Sequence, residues 1–497
     1  AERPGARAPR CQRPRRQRRH VLAMAPHGAA PRRVRSSTRS RAPRRHLLLL
    51  LGLRNASAGD WTDTLDHGGF RGFPTYEEAN GLLDGWLDSY PMLLRREQIG
   101  QSYERRPLFA YRLAVGDTGS GVSGGASDAA ATSSGARPQV LFTALMHSRE
   151  PASLTVVLYI MGHLLETYQR RVPESVYALE SREMWFIPFV NPDGYIANQL
   201  SRAKPVIRKN RRPTCRDAMR GGVDINRNFP PAWQKGRFPL CDEEYQGTEP
   251  FSEPETQAIR TLCDRISFVA AMNFHAFGSM LTHPYNYAPT VKQSLLKNAD
   301  DNLIYRELQS VFKFDKFGPA IQTVGYTAPG ESDDWLYDAK GIISMSPEVG
   351  PESGGFIPPA TEIAGIDGRN FFRALHLVVK AGFELSVDTQ LKDGGEVALE
   401  LRNTGLRTSM GEVLVVAVGG FPAGAANASV RADAGPLPSR LVTAGSLPAV
   451  IFQVPPLPRR SARTVRIGLG AGGQWANPAP PMRACSREAQ SGVCQCA

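Results

Sequence analysis

The chain has 497 residues, of which 41% are hydrophobic and 22% charged, a composition that fits about two to four globular domains and excludes wholesale disorder. The formal net charge is +13, but residues 1–45 carry fifteen arginines, no lysine and one acid, Glu2, and so account for +14. Removing this +14 leaves −1 for residues 46–497. A near-neutral body excludes a nucleic-acid-binding function that depends on a basic folded domain.

The first 58 residues are predicted to be a basic, disordered leader. Residues 1–45 lack apolar periodicity, so they cannot bury enough surface to offset the entropy of ordering. A short leucine-rich run at 46–53 and a small-residue site at 55–58 complete the pattern of a secretory signal. The run is far shorter than the roughly 20 residues that span a bilayer, and we expect no membrane span. We therefore expect a secreted protein, with organelle targeting or a retained basic arm as the alternatives.

Apolar strands that alternate with helices over residues 59–382 predict an α/β domain with a mixed sheet flanked by helices. The predicted elements, in chain order, are a helix from a Thr75 cap to near Pro91, strands at 108–115 and 139–144, a helix at 154–168, a strand at 184–190, a helix at 253–265, a strand at 266–274, a helix at 291–312, a strand at 341–345 and a helix at 363–382. A Gly/Ser/Ala/Thr-rich stretch at 116–137 is predicted to be a surface loop.

The composition changes after residue 382. Alternating or β-rich segments at 395–401, 413–418 and 463–469 are separated by Gly, Pro and Asn. This pattern predicts a small all-β sandwich over 383–480, followed by a cysteine-containing tail at 481–497.

Two predicted strands end in residues that suit a metal site. His147 and Glu150 follow the strand at 139–144, and His275 follows the strand at 266–274. Taken singly, each pattern is also explained by a surface ion pair or a core histidine. A catalytic zinc site needs three protein ligands and an open position, and no helical His-Glu-x-x-His motif is present to supply two of them. A third ligand must then come from far along the chain, as His275 does.

Further motifs follow in the order Asn191-Pro192-Asp193-Gly194-Tyr195, Arg208-Lys209-Asn210, Asp224-Ile225-Asn226-Arg227, Gly325-Tyr326 to Trp335, and Ser346-Pro347-Glu348. With the His147-Ser148-Arg149-Glu150 segment and His275, they resemble the zinc metallocarboxypeptidases of the carboxypeptidase A/B type over about residues 60–382. The resemblance implies one zinc ion bound by His147, Glu150 and His275. It also implies a general base at Glu348 and an oxyanion-stabilising arginine at Arg208.

The resemblance further implies how the substrate is held. Asn226 and Arg227 would clamp its C-terminal carboxylate, Tyr326 would close over that carboxylate, and Arg149 would serve an outer subsite. The family often closes the loop around the clamp with a disulfide, which implies the pairing Cys215–Cys241, with two unpaired thiols as the alternative.

Asp333 lies two residues before Trp335, where the family places the base of the pocket for the terminal side chain. An acid there resembles carboxypeptidase B, which removes C-terminal Lys and Arg. A buried carboxylate would be neutralised by such a side chain. The alternative is that Asp333 turns outward or pairs with an arginine, and the uncharged Asn286 on the predicted pocket wall does not decide the matter.

The chain combines traits of two branches of the family. The β-sandwich resembles the regulatory branch, whereas Tyr326 and the segment 332–335 resemble the digestive branch. Phe277 replaces the tyrosine of the digestive enzymes, and no zymogen is expected. Two rival functions remain, an inactive carboxypeptidase-like binding module and a zinc amidase or deglutamylase of the same fold. The complete zinc site and base favour an enzyme, and the clamp favours peptide or protein C-termini as partners. We expect a monomer that binds no nucleic acid and has no membrane span.

Overall fold

The structure, a computed structural model, describes residues 61–116, 137–201, 206–292, 294–296, 298–392, 396–408, 412–417, 428–432, 435–437, 439–444, 447–453, 456–469, 482–487 and 494–496. The predicted leader at 1–58 and nearly all of the predicted loop at 116–137 lie outside these residues.

The helices are α1 (Asp63–Asp66), α2 (Tyr76–Ser89), α3 (Pro151–Gln169), α4 (Pro173–Ser181), α5 (Pro192–Leu200), α6 (Pro254–Arg265), α7 (Ala299–Phe312), α8 (Ala320–Thr323), α9 (Ser332–Lys340) and α10 (Ala360–Lys380), with short 3-10 helices at Ile225–Arg227 and Glu352–Gly354. No helix in the described part of the chain is both long and apolar enough to cross a membrane.

The strands up to residue 349 are β1 (Leu94–Gln101), β2 (Pro107–Leu113), β3 (Gln139–Thr143), β4 (Glu183–Ile187), β5 (Phe268–Asn273), β6 (His275–Ala276), β7 (Met280–Thr282), β8 (Lys316–Gly318) and β9 (Ile343–Val349). The later strands are β10 (Leu385–Lys392), β11 (Glu396–Asn403), β12 (Glu412–Ala417), β13 (Ala428–Ala432), β14 (Gly435–Pro436), β15 (Ser439–Ala444), β16 (Leu447–Gln453), β17 (Ala462–Leu469), β18 (Met482–Arg487) and β19 (Cys494–Cys496).

Strands β1 to β9 form one mixed sheet in the order β1-β2-β4-β3-β5-β9-β7-β8, with β6 paired to β9. The pairs β4–β3, β3–β5 and β5–β9 are parallel, whereas β1–β2, β2–β4 and β9–β7 are antiparallel. The predicted α/β class with a mixed sheet and flanking helices is confirmed. Because β3 and β5 run parallel, their carboxyl ends meet at one edge of the sheet, and the residues that follow them come together there.

The central strands of this sheet are buried on both faces. Val140 and Phe142 of β3 belong to a core that includes residues of α3 and α10, and the intervening Leu141 belongs to a second core that includes residues of α6 and α9. Successive side chains of a strand point to opposite faces, so a strand covered on both sides consists of a continuous apolar run. This is why strands such as β3 and β4 were predictable from their composition.

The starts of helices α2 and α7 can be compared with the starts predicted from the local sequence. Helix α2 begins with the predicted capping box, in which Glu78 N donates to Thr75 Oγ1 (3.1 Å) and Thr75 N donates to Glu78 Oε2 (2.8 Å). The prediction of a helix from residue 291 is wrong, because α7 begins at Ala299 after an Asn298 cap. Val291 and Leu295 are 46% and 55% exposed, so their apolar spacing reflects no buried helical face.

The C-terminal part contains two antiparallel sheets, in the orders β10-β11-β17-β13-β14 and β15-β16-β12-β18-β19. The strands predicted at 395–401, 413–418 and 463–469 correspond to β11, β12 and β17. Ion pairs join this part to α7, since Arg459 contacts Asp301 (2.6 Å) and Arg460 contacts Glu307 (2.7 Å). Residues 58–497 group as one compact unit, and the proposed boundary at 382/383 stays a prediction, as does the sandwich.

Candidate active site

Three buried side chains bring their metal-binding atoms together at the carboxyl edge of the sheet. His147 Nδ1 lies 3.0 Å from Glu150 Oε1, and His275 Nδ1 lies 3.0 Å from both His147 Nδ1 and Glu150 Oε2. His147 and Glu150 stand between β3 and α3, and His275 begins β6 directly after β5. Two imidazole nitrogens and a carboxylate in one buried cluster are a donor set that suits zinc.

The electrostatics of the cluster also favour a cation. Burial opposes the charge of Glu150, yet the adjacent His147 and His275 hold the pKa of Glu150 below its usual value. Burial disfavours a charged imidazole, but Glu150 raises the pKa of His275 to about 9. Glu150 therefore favours a positive charge beside it, and a bound metal cation would supply that charge.

Asp224 contacts His147 at the ring nitrogen that faces away from the cluster. Its Oδ1 lies 3.2 Å from His147 Nε2 and accepts a hydrogen bond from Asn226 N (2.9 Å). Its Oδ2 accepts a hydrogen bond from Arg208 Nε (2.8 Å). Burial would raise the pKa of Asp224, but Arg208 and His147 lower it well below the usual value, so the carboxylate is ionised. Carboxylates that hold the second nitrogen of a ligating histidine fix the orientation of the ring.

Glu348 lies in β9, next to the cluster of metal-binding side chains. The parallel register of β6 and β9 places His275 directly opposite Glu348. Burial, reinforced by the negative charge of Glu150, raises the pKa of Glu348 to about 8. A divalent cation bound beside this carboxylate would lower that pKa. A carboxyl group whose pKa lies near neutrality, beside a cluster of metal-binding side chains, is suited to proton transfer.

Arg208 lies beside the cluster, between Asp224 and His147. Its Nη1 lies 3.1 Å from His147 Nδ1 and 3.8 Å from Glu150 Oε1. The ion pair with Asp224 holds the guanidinium in this position. A fixed positive charge beside the cluster can stabilise negative charge that develops on a reacting carbonyl oxygen.

The predicted clamp residues are buried next to this cluster. Arg227 is 2% exposed, and Asn226 is 3% exposed. Asn226 Oδ1 accepts hydrogen bonds from the backbone N and the hydroxyl of Ser332, each at 2.9 Å. Arg227 is bound by two acidic side chains, Glu244 (Nη2 to Oε1, 2.7 Å) and Glu331 (Nη1 to Oε1, 3.0 Å). No sequence pattern indicated that Arg227, predicted as a clamp residue, would be paired with acids of the same chain.

Asp333 points into the protein. It is completely buried, and Asn273 Nδ2 donates a hydrogen bond to its Oδ1 (2.6 Å). The Ser346 side chain also interacts with this carboxyl group, and no cationic side chain among the described residues pairs with it. Burial and the nearby charge of Glu331 raise the pKa of Asp333 to about 7. Neither alternative considered for Asp333, an outward orientation or an ion pair with arginine, is present in the structure.

Tyr326 and Arg149 are the predicted residues for contacts farther from the metal-binding cluster. Tyr326 is 50% exposed; partial burial of its hydroxyl raises its pKa, and the charges of Arg227 and Arg208 oppose this rise. The Arg149 guanidinium pairs with Glu243 (3.0 Å) and stacks 4.2 Å above the ring of Phe356. Phe277 packs edge-on against the same ring, with 4.8 Å between the ring centres.

A disulfide joins Cys215 and Cys241, whose Cα atoms are 5.5 Å apart. The two cysteines are 26 positions apart in the sequence, and the loop that they close contains Asn226 and Arg227. The pairing is the one implied by the family resemblance.

A family model for zinc carboxypeptidases matches residues 80–373, more than half of the chain. The chain belongs to the zinc carboxypeptidase family. Mouse carboxypeptidase A4 is 26% identical over 290 residues, which is 56% of this chain and 63% of the relative. Human carboxypeptidase B is 28% identical over 305 residues, which is 58% of this chain and 67% of the relative.

Solved structures of the family share the fold. The crystal structure of thrombin activatable fibrinolysis inhibitor superposes with a TM-score of 0.53 at 23% identity, covering 64% of this chain and 77% of that chain. Carboxypeptidase A from Helicoverpa armigera gives a TM-score of 0.51 at 23% identity, covering 62% and 73%. At this identity the likeness concerns the fold alone.

Three acids of this zinc carboxypeptidase site were missed by sequence reasoning. Asp224 and Glu331 lie inside motifs that carry the family resemblance, and Glu244 lies three residues after Cys241. Their positions beside known motifs were the available signal. Their contacts with His147 and Arg227 depend on tertiary proximity.

Proposed function

We propose that the protein is a zinc-dependent metallocarboxypeptidase that hydrolyses the C-terminal peptide bond of peptides or proteins. The observation that carries this proposal is the convergence of His147, Glu150 and His275 at one sheet edge, with Glu348 in register opposite His275. A cluster that lacked a ligand or the base would favour an inactive binding module. Membership of the family supports the same reaction class.

The ligand cluster would hold one zinc ion, which supplies Lewis-acid chemistry for hydrolysis of a peptide carbonyl when bound. Glu348 takes a proton from the attacking water and returns it to the leaving amine. Arg208, held by Asp224, stabilises the negative charge of the tetrahedral oxygen. Asp224 keeps the ring of His147 oriented, and burial of the cluster limits access of bulk water.

Substrate recognition is proposed to involve the neighbouring residues. Arg227 and Asn226 bind the terminal carboxylate, Tyr326 covers it, and Arg149 contacts the substrate farther from the terminus. The completely buried Asp333, which has no cationic partner among the described residues, supports a preference for C-terminal Lys or Arg. A cationic side chain would neutralise the carboxylate.

We further propose that the protein acts outside the cytosol, in the secretory pathway or an organelle lumen. The Cys215–Cys241 disulfide supports an oxidising compartment, and the leader pattern at 46–58 supports export.

The decisive experiment is mass spectrometry of a peptide mixture incubated with purified, zinc-loaded protein. Loss of single C-terminal residues from free acids, but not from matched C-terminal amides, is the expected result. The Glu348→Gln variant serves as the control for contaminating peptidases. Equal cleavage of amides and acids would contradict the exopeptidase assignment and favour an amidase. Binding of peptides without cleavage would favour the binding module.

A further inference from the structure

The backbone at Gly330, just before Glu331, is packed tightly against the backbone of Arg227. Gly330 has φ +82°, and a Cβ atom there would lie 2.3 Å from the carbonyl oxygen of Arg227. This close approach, together with the hydrogen bond from Phe229 N to Gly330 O (3.0 Å), fixes the backbone that presents Glu331. Glu331 is 8% exposed, and its Oε2 is buried without a hydrogen-bond partner among the described residues.

The donors of Arg227 are almost fully used. A guanidinium side chain has about five N–H groups in a fixed fork. Nε and Nη2 donate to Glu244 Oε1 (3.2 and 2.7 Å), and Nη1 donates to the Asn226 carbonyl (2.9 Å) and to Glu331 Oε1 (3.0 Å). A substrate carboxylate therefore cannot form two parallel hydrogen bonds with Arg227 unless an internal carboxylate leaves.

The charges around Arg227 also disfavour a substrate that brings only a negative charge. Arg227 contributes one positive charge, whereas Glu244 and Glu331 contribute two negative charges. Asp333 adds a further acid whose titration already responds to Glu331. A terminal leucine would bring only its negative carboxylate into this acidic region. A terminal lysine or arginine would bring a compensating positive charge on its side chain.

We propose that Glu331 is a specificity-determining residue that covers Arg227 in the free protein and turns to the cationic side chain of a C-terminal Lys or Arg. This movement exposes Nη1 of Arg227 to the substrate carboxylate. The inference rests on the proposed carboxypeptidase function. Substrates with neutral side chains must displace Glu331 from a buried ion pair without offering it a new partner, and they bind weakly for that reason.

The test compares the parent protein with Glu331→Gln, using matched peptides that end in Lys or Leu. Glutamine keeps the shape but holds Arg227 less strongly and offers no charge to the substrate. We expect KM to rise for the Lys peptide and fall for the Leu peptide, with kcat little changed. The Lys/Leu ratio of kcat/KM should fall about tenfold or more. A ratio within about twofold of the parent would overturn the inference.

Two further variants provide controls. Glu249→Gln removes the same charge at an exposed position of a nearby loop and should leave the ratio unchanged. Glu331→Asp keeps the charge on a shorter side chain and should retain a Lys preference between those of the parent and the Gln variant. A loss of preference in Glu331→Asp as large as in Glu331→Gln would indicate a packing effect and refute the charge-based role.

Binding of free amino acids, measured by calorimetry, separates this inference from the proposed function. Lysine should bind the parent more tightly than leucine does, and Glu331→Gln should reduce that difference about tenfold or more. If the parent releases no C-terminal residue but shows this pattern, the carboxypeptidase function fails and the role of Glu331 stands. If peptides are cleaved but Glu331→Gln leaves the lysine preference intact, the role of Glu331 fails alone.

Discussion

Replacing Asp224 with asparagine should weaken zinc binding by about 10- to 100-fold, because Asp224 is the side chain that orients His147. The carboxylate is completely buried and accepts from two directions. Oδ1 lies 3.2 Å from His147 Nε2 and accepts a hydrogen bond from Asn226 N (2.9 Å), and Oδ2 accepts one from Arg208 Nε (2.8 Å). An amide has one accepting oxygen, so one of these groups would face an N–H in Asp224→Asn.

The same substitution should lower the free energy of unfolding by about 3–5 kcal/mol, since it removes one partner of the buried Asp224–Arg208 ion pair. Among the described residues, Arg208 then keeps a longer ion pair with Glu150, at 3.8 Å, and its contact with His147 Nδ1, at 3.1 Å. Thermal unfolding identifies the temperature range in which the variant is folded. Zinc affinity is then measured in that range by competition with a chromogenic chelator.

Asp367→Asn is the matched control for this prediction. Asp367 is 1% exposed and contacts Thr155 Oγ1 (2.8 Å), and burial raises its pKa well above the usual value. Asparagine is nearly the same size and shape as this buried carboxyl group, which does not contact the proposed zinc ligands, and zinc affinity should not change. A folded Asp224→Asn variant with the zinc affinity of the parent would refute the positioning role of Asp224.

Three further predictions concern the base, the pocket and the loop. Glu348→Gln should bind zinc like the parent, by metal analysis, but lower kcat by about 10²- to 10⁴-fold; near-parental turnover would exclude Glu348 as the base. The Lys/Leu ratio of kcat/KM should rise with pH through about 7, because burial raises the pKa of Asp333 to about 7 and only the ionised form attracts a cation. Asp333→Asn should remove this rise, and a persistent rise would show that another group causes it. Replacing Cys215 and Cys241 with serine should reduce the free energy of unfolding by about 3 kcal/mol, as measured with urea; an unchanged midpoint would show that the disulfide does not stabilise the fold.

The sequence by itself determined the apolar strands β2, β3, β4, β5 and β9 and the order of the reactive groups, but not β1, β6, β7 or β8. Strands such as β3 and β5 are apolar on both faces, and a buried strand imposes that composition wherever its neighbours come from. His147, Glu150 and His275 follow these strands directly, so parallel pairing was enough to bring them to one edge. The α2 capping box was equally local, since its two hydrogen bonds join residues three positions apart.

Only the tertiary structure decided which charges meet around these groups. Glu331 is 104 residues from Arg227 along the chain, and Asp224 is 77 residues from His147. No periodicity records such pairs, because a charge at either position is compatible with the same helix, strand or loop. Their energies depend instead on distance and burial, which are fixed when separate segments pack at the sheet edge. The sequence could therefore name Arg227 as a clamp but could not show that Glu244 and Glu331 already hold it.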